Sequence, residues 1–193
     1  IKIFVGKYIN SSGYSSYTSP RKSLCADRVE PTTFYYFHTT YGVFRSIDGG
    51  ETWNKAGDNP IPNRWNITMK ATPGYAKDLW LAEGKQSNVV GGLWHSTNGG
   101  ETWTLVPGLE QAFSFGFGKA KTEGGYPTVF ASGVIGGEYG IFRSINSGET
   151  WEKISTYPLG IFDYVDAMDG DKNEFGKVYL AFAGAGFAYG KPN

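Results

Sequence analysis

A twelve-residue segment occurs three times in this chain without gaps, at residues 42–53, 92–103 and 140–151. Each copy contains an aliphatic and an aromatic residue, then Ser, then Asp or Asn, and ends in Gly-Glu-Thr-Trp. The closing tryptophans are separated by 50 and 48 residues. A unit that repeats at this period predicts an architecture in which successive copies pack on one another.

The chemistry of the repeated segment is that of a hairpin turn. Residues 43–46 read as a strand that ends in Asp48-Gly49-Gly50, and Gly supplies the positive φ that such turns require. The Asp48 side chain is expected to accept hydrogen bonds from backbone N–H groups within the turn. Asn98 and Asn146 replace it in the other copies, so the turn needs an acceptor oxygen and no charge. We therefore interpret this Asp-box as structural and assign Asp48 no catalytic role.

The segments between the boxes predict the remaining strands. The sequence indicates an all-β fold, a β-propeller of four-stranded antiparallel blades joined by Asp-box turns, with about four blades. The chain ends could share one blade and close a four-bladed ring, or the chain could be an arc of a larger ring. Residues 1–193 are predicted to form one propeller domain or the C-terminal portion of one. The predicted blades are 22–57, 66–107 and 111–155, with a partial blade of 163–190 completed by 1–17.

The predicted inner strands are assigned from short apolar or alternating runs. Each blade contributes two strands before its box, and the last contributes three strands and no fourth. The assigned ranges are 24–29, 34–37, 67–71, 78–82, 112–117, 128–131, 164–168, 178–182 and 187–189.

Composition limits the classes of ligand. The net charge is zero with no basic run, which argues against a nucleic-acid or membrane partner, whereas 17% aromatic residues suit a carbohydrate ligand. The single cysteine, Cys25, permits no internal disulfide and reads as a small buried apolar residue. His38 and His95 lack ligand spacing, so we predict no metal and no cofactor.

Acidic residues are interpreted as structural. Asp27 precedes Arg28 in a predicted blade-opening strand, and an Asp–Arg ion pair that holds neighbouring blades together is favoured over acid catalysis. Four acids near the last blade read as a solvated loop, with a calcium loop as the alternative. They are Asp163, Asp166, Asp169 and Asp171.

Ligands are expected on the propeller face opposite the Asp-box turns. That face carries the loops between blades and the loops that join each blade's second and third strands. Aromatic residues in these loops are candidate platforms for sugar rings, with packing between blades as the alternative. The predicted substrate-binding residues are Trp65, Tyr41, Tyr157, Phe162 and Tyr139.

The segments between the boxes resemble glycoside hydrolase family 74. Residues 26–35, Ala-Asp-Arg-Val-Glu-Pro-Thr-Thr-Phe-Tyr, are similar to a stretch of that family. The similarity continues in register to about Gly190 and is poor in the first twenty residues. Further matching segments are 78–82 with 92–96, 115–120 with 126–127 and 139–144, and 176–180 with 184–190.

The resemblance implies a secreted xyloglucanase, an endo-β-1,4-glucanase or oligoxyloglucan hydrolase that inverts the anomeric carbon. Such enzymes have two seven-bladed propellers with the cleft between them, so this chain would be an arc of the second propeller and form one wall of the cleft. Inversion requires two carboxyl groups roughly 6.5–9.5 Å apart. The family carries them in Asp-Ile-Gly-Gly motifs, and this chain has none. The resemblance thus carries over no catalytic residue, and the acids would lie outside this chain.

The partners implied are xyloglucan and the remainder of the enzyme, with its N-terminal propeller, in the same or another chain. Two alternatives stay open at this point. One is a non-catalytic Asp-box propeller that binds a protein or glycan, as in sortilin-like receptors, although such proteins rely on disulfides. The other is a sialidase, although Arg45 and Arg143 look like features of the repeat rather than a substrate cluster.

Overall fold

The computed structural model describes residues 22–61, 67–84, 91–156, 164–184 and 186–192. All named elements in these residues are β-strands, and consecutive strands pair antiparallel into sheets in chain order. Within the same residues, no helix is long and apolar enough to cross a membrane. The chain divides into two compact units, of which unit 1 contains 1–81 and 94–104 and unit 2 contains 82–93 and 105–193.

The first sheet shows the pattern that the others follow. Each strand is short and is joined to the next by a connection of three to seven residues, so the chain passes back and forth across the sheet. The outer strand follows the Asp-box turn and has no fully buried residue. The strands are β1 (Leu24–Ala26), β2 (Phe34–His38), β3 (Gly42–Ser46) and β4 (Asn54–Gly57).

The second and third sheets repeat this order, each with four strands. The third sheet contains the longest strands, because β9 and β10 extend beyond the ranges that the apolar pattern predicts. The second sheet consists of β5 (Thr68–Ala71), β6 (Leu79–Ala82), β7 (Leu93–Ser96) and β8 (Thr104–Leu105). The third consists of β9 (Gln111–Gly118), β10 (Thr128–Ile135), β11 (Glu138–Ser144) and β12 (Glu152–Thr156).

The fourth sheet has three strands among the described residues, as the sequence predicted for residues 164–190. All-β architecture with four antiparallel sheets confirms the predicted fold class. Residues 1–17, which were predicted to complete this sheet, lie outside the described residues, and the assignment of 1–193 to one domain stays a prediction. The strands are β13 (Val165–Gly170), β14 (Val178–Phe182) and β15 (Phe187–Gly190).

Apolar side chains from adjacent sheets form the core of each unit. In unit 1, Tyr35, Phe37 and Val43 of the first sheet pack with residues of β5 and β6. In unit 2, Phe130 and Ile141 of the third sheet pack with the inner residues of the fourth. Strand alternation thus gives each sheet a face that is buried against its neighbour.

Strand β1 is shorter than the sequence predicted, and Asp27 explains the difference. Its Oδ1 atom accepts hydrogen bonds from the N–H groups of Val29 and Glu30, both at 2.8 Å. This turn ends the strand at Ala26. The predicted ion pair between Asp27 and Arg28 is wrong for these two described residues, because backbone N–H groups and the Tyr35 hydroxyl occupy the carboxylate.

Candidate functional site

The first Asp-box turn is closed by a network of short hydrogen bonds. The Ser46 hydroxyl donates to Asp48 Oδ1 at 2.7 Å and accepts the N–H of Gly50 at 2.9 Å. Both carboxylate oxygens accept the Thr52 N–H, at 2.9 and 3.0 Å, and Oδ2 accepts the Thr52 hydroxyl. The Trp53 indole N–H donates to the Gly50 carbonyl at 3.1 Å. Hydrogen bonds from the Thr52 hydroxyl, the Thr52 N–H and the Ser46 hydroxyl together lower the pKa of Asp48 to about 2.

The second and third turns reproduce this network with an amide. Ser96 donates to Asn98 Oδ1 at 2.9 Å, and the same oxygen accepts the Thr102 N–H at 3.0 Å. The amide nitrogen of Asn98 donates to the Thr102 hydroxyl at 2.9 Å. The structural interpretation of Asp48 is therefore confirmed. Equivalent bonds in the third turn join Ser144, Asn146, Gly148 and Thr150.

Tyr41 lies at the end of β3 opposite the Asp48 turn, in the connection between β2 and β3. The residue is 43% exposed. Its ring lies against the His38 ring, with centroids 4.7 Å apart. His38 Nδ1 accepts the N–H groups of Thr40 and Tyr41 at 3.0 and 3.3 Å. Burial lowers the pKa of His38, which favours the neutral ring that these bonds need. Tyr41 is thus partly exposed and rests on a ring whose own position is fixed by backbone hydrogen bonds.

Tyr139 occupies the corresponding end of the third sheet. It is 46% exposed and packs at 5.8 Å on the ring of Phe113. The sequence placed it in a loop, but it lies in β11 and pairs with Val134 of β10. Strand pairing continues to the tight turn at Gly136 and Gly137, whose φ values are positive. The long antiparallel hairpin therefore gives Tyr139 a rigid strand position.

The other three predicted platforms, Trp65, Tyr157 and Phe162, lie outside the described residues. Tyr41 belongs to unit 1 and Tyr139 to unit 2, and each satisfies by itself the exposure that a sugar platform needs. A substrate-binding role for any of the five residues stays a prediction.

The sequence analysis did not predict a buried polar cluster around Asp78 and His95. Asp78 is buried, and its Oδ1 accepts the Thr72 hydroxyl at 2.5 Å and the Trp80 indole N–H at 3.2 Å. His95 Nε2 lies 3.0 Å from both carboxylate oxygens, and its ring stacks on Trp80 with centroids 4.2 Å apart. His95 occupies the box position that Arg45 has in the first repeat. This equivalence in the repeat is the sequence signal from which an acidic partner of His95 could have been predicted.

The first and third sheets carry an arginine at this box position, and each arginine is paired with an acid. Arg45 Nη1 lies 3.4 Å from Glu101 Oε1, and Arg143 Nη2 lies 2.7 Å from Glu152 Oε2. Both arginines are more buried than their glutamate partners. The Arg45 pair joins the first box to the second, and the Arg143 pair lies within the third sheet, so both charges are satisfied by parts of the repeated fold.

Asp166 and Asp169 near the last sheet are exposed, as predicted, but they do not lie in a loop. Asp166 and Asp169 lie in β13, and Asp169 Oδ1 accepts the N–H of Phe117 at 3.0 Å. Asp171 closes the turn that follows β13. Asp163 lies outside the described residues. Among the residues that are described, no group of three potential ligands could hold a metal ion.

A groove of about 550 Å³ opens in unit 2 between β11–β12 and β14–β15. Its lining includes the apolar residues Ile141, Ile154 and Leu180. The cationic residues Arg143, Lys153 and Lys191 also line it. It contains none of the predicted sugar platforms. Three cationic residues and one carboxylate, that of Glu152, line the groove, so it lacks the facing carboxyl pair that glycoside hydrolysis requires.

The four sheets and three turns define the class, an Asp-box protein built from β-propeller blades. The BNR/Asp-box repeat family matches residues 44–55 and 94–105. A xyloglucanase from a Paenibacillus species is 31% identical over 192 residues, which is 97% of this chain and 18% of that protein. Xyloglucanase Xgh74A of Acetivibrio thermocellus is 36% identical over 170 residues, 88% of this chain and 19% of that protein.

The crystal structure of the Niastella koreensis GH74 enzyme superposes with a TM-score of 0.72 at 30% identity. The match covers 86% of this chain and 24% of the crystallised one. Over most of its length this chain is homologous to the xyloglucanases of glycoside hydrolase family 74. It spans about a fifth of the length of the curated relatives that it matches.

Proposed function

We propose that this chain is part of a secreted, inverting glycoside hydrolase that acts on xyloglucan and forms one wall of the substrate cleft. The observation that carries the proposal is the similarity to a xyloglucanase over 97% of the chain. Xyloglucan is an extracellular polymer, so an enzyme that degrades it acts outside the cell. Endo action and release from chain ends are both compatible with the proposal.

The catalytic acids are proposed to lie in the rest of the enzyme. An inverting mechanism needs one carboxyl group as general acid and a second that activates water from the opposite face. Asp48 lies in the Asp-box segment that resembles the family's catalytic motif. Its carboxylate accepts hydrogen bonds from Ser46 and Thr52. Its low pKa, about 2, also makes it unsuited to donate a proton near neutral pH.

Substrate contact is proposed at Tyr41 and Tyr139, with Trp65, Tyr157 and Phe162 as further platforms. An exposed ring that is fixed by a neighbouring ring can stack on a pyranose without losing much rotamer entropy. Tyr41 rests on His38 and Tyr139 on Phe113, at the ends of their strands opposite the Asp-box turns. Neither sialidase chemistry nor a sortilin-like role gains support, since Arg45 and Arg143 are ion-paired and the one cysteine forms no disulfide.

The activity is tested with the complete polypeptide encoded by the open reading frame and with the 193-residue chain alone. The complete polypeptide should release reducing ends from xyloglucan, and NMR should show inversion of the anomeric configuration. The chain alone should be inactive. An inactive complete polypeptide would contradict the proposed activity, and hydrolysis by the isolated chain would contradict the location of the acids.

The platforms are tested by oligosaccharide binding. In the complete polypeptide, Tyr41→Ala and Tyr139→Ala should each weaken binding of a xyloglucan oligosaccharide by about 1–3 kcal/mol, by analogy with base–aromatic stacking. Ile47→Ala is the matched control, because Ile47 is an exposed apolar residue at the Asp-box end. Isothermal titration calorimetry that shows equal affinity for the Tyr41 variant and the control would remove that residue from the site.

A further inference from the structure

The imidazole of His38 holds the connection between β2 and β3. His38 is the last residue of β2, pairs with Gly42 of β3 and is only 6% exposed. Its Nδ1 atom lies 3.0 Å from the backbone nitrogen of Thr40 and 3.3 Å from that of Tyr41. Both nitrogens carry a hydrogen, so Nδ1 is the acceptor in both bonds. The ring is therefore neutral, with its proton on Nε2.

The two ends of this connection are held without the imidazole. At the first end, the Asn59 side chain donates a hydrogen bond to the Thr39 carbonyl. At the other end, Gly42 packs so closely on the backbone after β4 that a Cβ atom there would collide with the Gly57 carbonyl oxygen. The bonds to Nδ1 act on the two residues between these ends, so a change at the ring is confined to them.

Protonation of His38 removes the acceptor. An imidazolium carries a hydrogen on each ring nitrogen and has no lone pair with which to accept a bond. The Nδ1–H group would then face the N–H groups of Thr40 and Tyr41, and these two donors would lose their partner. A donor left without an acceptor costs free energy, so the two residues should move away from the ring.

Tyr41 connects this change to the surface. Its ring lies against the His38 ring at an interplanar angle of 34°, and its backbone N–H is one of the two donors. Movement of the connection therefore removes the support of the Tyr41 ring and of its backbone together. A ring that is no longer held must lose rotamer entropy when it stacks on a sugar, and this weakens binding.

Among the described residues that pack on His38, the titratable groups change charge in other pH ranges. The rings that face it are the phenols of Tyr41 and Tyr36, the latter with centroids 6.4 Å apart, and phenols are uncharged in acid. Lys55 of β4 and Asp58 form an ion pair of 2.5 Å. The hydrogen bond from Lys55 lowers the pKa of Asp58, so this pair stays charged above about pH 4.

Resting on the proposed function, in which Tyr41 stacks on xyloglucan, we propose that His38 is the positioning residue of this platform and makes sugar binding at Tyr41 depend on pH. The neutral imidazole holds Tyr41 in its binding position, and the imidazolium releases it. Burial lowers the pKa of His38 from its ordinary value of 6.5, so the neutral form is complete above pH 6.5 and is lost as the pH falls below it.

Tyr139 provides an internal contrast. It rests on Phe113, which has no titratable group, and it lies within the paired strand β11. Its support does not depend on a histidine, so sugar binding at Tyr139 should be unaffected by the protonation that releases Tyr41.

Isothermal titration calorimetry of the complete polypeptide with a xyloglucan oligosaccharide, from pH 7.5 to pH 4.5, tests the proposal. The ratio of the parent's affinity to that of Tyr41→Ala should fall about fivefold or more, because only the parent has this platform to lose. Titrations elsewhere in the enzyme cancel in this ratio. The ratio to Tyr139→Ala should stay constant. A constant ratio to Tyr41→Ala would overturn the proposal.

His38→Asn separates positioning from packing. The asparagine Oδ1 atom can take the place of Nδ1 as acceptor, and it does not titrate. Loss of the ring beneath Tyr41 should weaken binding at every pH, whereas the pH dependence should disappear. His95→Gln is the matched control, because its amide can still donate to Asp78, and it should keep the parent's pH dependence. A pH dependence that survives His38→Asn would refute the role of His38.

Amide hydrogen exchange of the peptide that spans residues 39–42 tests the positioning without a sugar. At pH 5, Thr40 and Tyr41 should exchange about tenfold faster in the parent than in His38→Asn, and at pH 7.5 the two proteins should exchange alike. Both are compared at one pH, so the intrinsic pH dependence of exchange cancels. Equal rates at both pH values would contradict the positioning role.

The exchange experiment keeps the two proposals apart. A complete polypeptide that binds no xyloglucan yet shows the exchange difference would refute the proposed function and keep His38 as the residue that positions Tyr41. An enzyme that binds xyloglucan with a constant affinity ratio and equal exchange rates would keep the function and refute the role of His38.

Discussion

The Asp48 turn and the Asn98 turn have the same shape and differ in the direction of one hydrogen bond. In both, one side-chain oxygen accepts the serine hydroxyl and the threonine N–H. The Thr52 hydroxyl donates to the carboxylate of Asp48, whereas the Thr102 hydroxyl accepts from the amide of Asn98. A hydroxyl can do either. The comparison teaches that the turn needs one fixed acceptor oxygen and that the second atom can be oxygen or nitrogen.

The two turns differ also in what surrounds them. Gly50 and Gly100 occupy the same turn position with φ values of 93° and 86°. A Cβ atom at Gly50 would meet nothing within 4 Å, whereas one at Gly100 would lie 2.7 Å from Val43 Cγ1. The second turn is thus packed on β3 of unit 1, and the first has open space at the same position.

The largest effect is expected when alanine is placed at these two glycines. Gly50→Ala should cost only the strain of positive φ, about 1–2 kcal/mol. Gly100→Ala should add overpacking against Val43, about 1–3 kcal/mol more. Urea unfolding followed by tryptophan fluorescence measures both. Equal losses would show that the contact between Gly100 and Val43 does not contribute.

A smaller loss is expected from the serine that supports the second turn. Ser96 is buried, accepts the N–H of Gly100 at 3.0 Å and donates to Asn98. Ser96→Ala leaves that N–H without its acceptor and should cost about 1–3 kcal/mol. Ser155→Ala is the control, because Ser155 is exposed on β12. A Ser96 variant as stable as this control would refute a stabilising role for the hydroxyl.

The smallest effect is expected from exchanging the acid and the amide, and it depends on pH. The pKa of Asp48 falls from 3.8 to about 2 in the folded chain, so the unfolded chain binds more protons between these values. The stability that Asp48 contributes is present above pH 3.8 and is lost as pH falls through 2. Asp48→Asn should remove this part of the acid dependence, and Asn98→Asp should introduce one.

The measurement is the free energy of unfolding of each variant and of the parent chain at intervals from pH 5 to pH 2. Identical slopes for the parent and Asp48→Asn would show that the carboxylate has no special role in this turn.

The Asp-box turns could be predicted because the side-chain hydrogen bonds that close each box join residues at most four apart. Ser46, Asp48 and Thr52 carry the chemistry in one short segment. The end of β1 was missed, although Asp27 and its two N–H donors are also neighbours. There the apolar pattern continues to Val29, and the preference of Asp for a turn prevailed over it.

The candidate site was predictable only in part. Exposure of Tyr41 follows from its place in a tight connection, whereas Tyr139 was assigned to a loop and lies in a strand. The pairing of Asp78 with His95 joins residues 17 apart, and that of Arg45 with Glu101 joins residues 56 apart. Such partners depend on how sheets and strands stack, which periodicity does not encode.

By itself the sequence determined the all-β repeat and the Asp-box hairpin turns, because each rests on contacts within a few residues. Only the tertiary structure decided that Tyr35 is buried and Tyr179 exposed. The two tyrosines make the same local bond, 2.9 and 2.8 Å from their aspartates. Burial depends on whether another sheet packs on the same face, and that is set by distant parts of the chain.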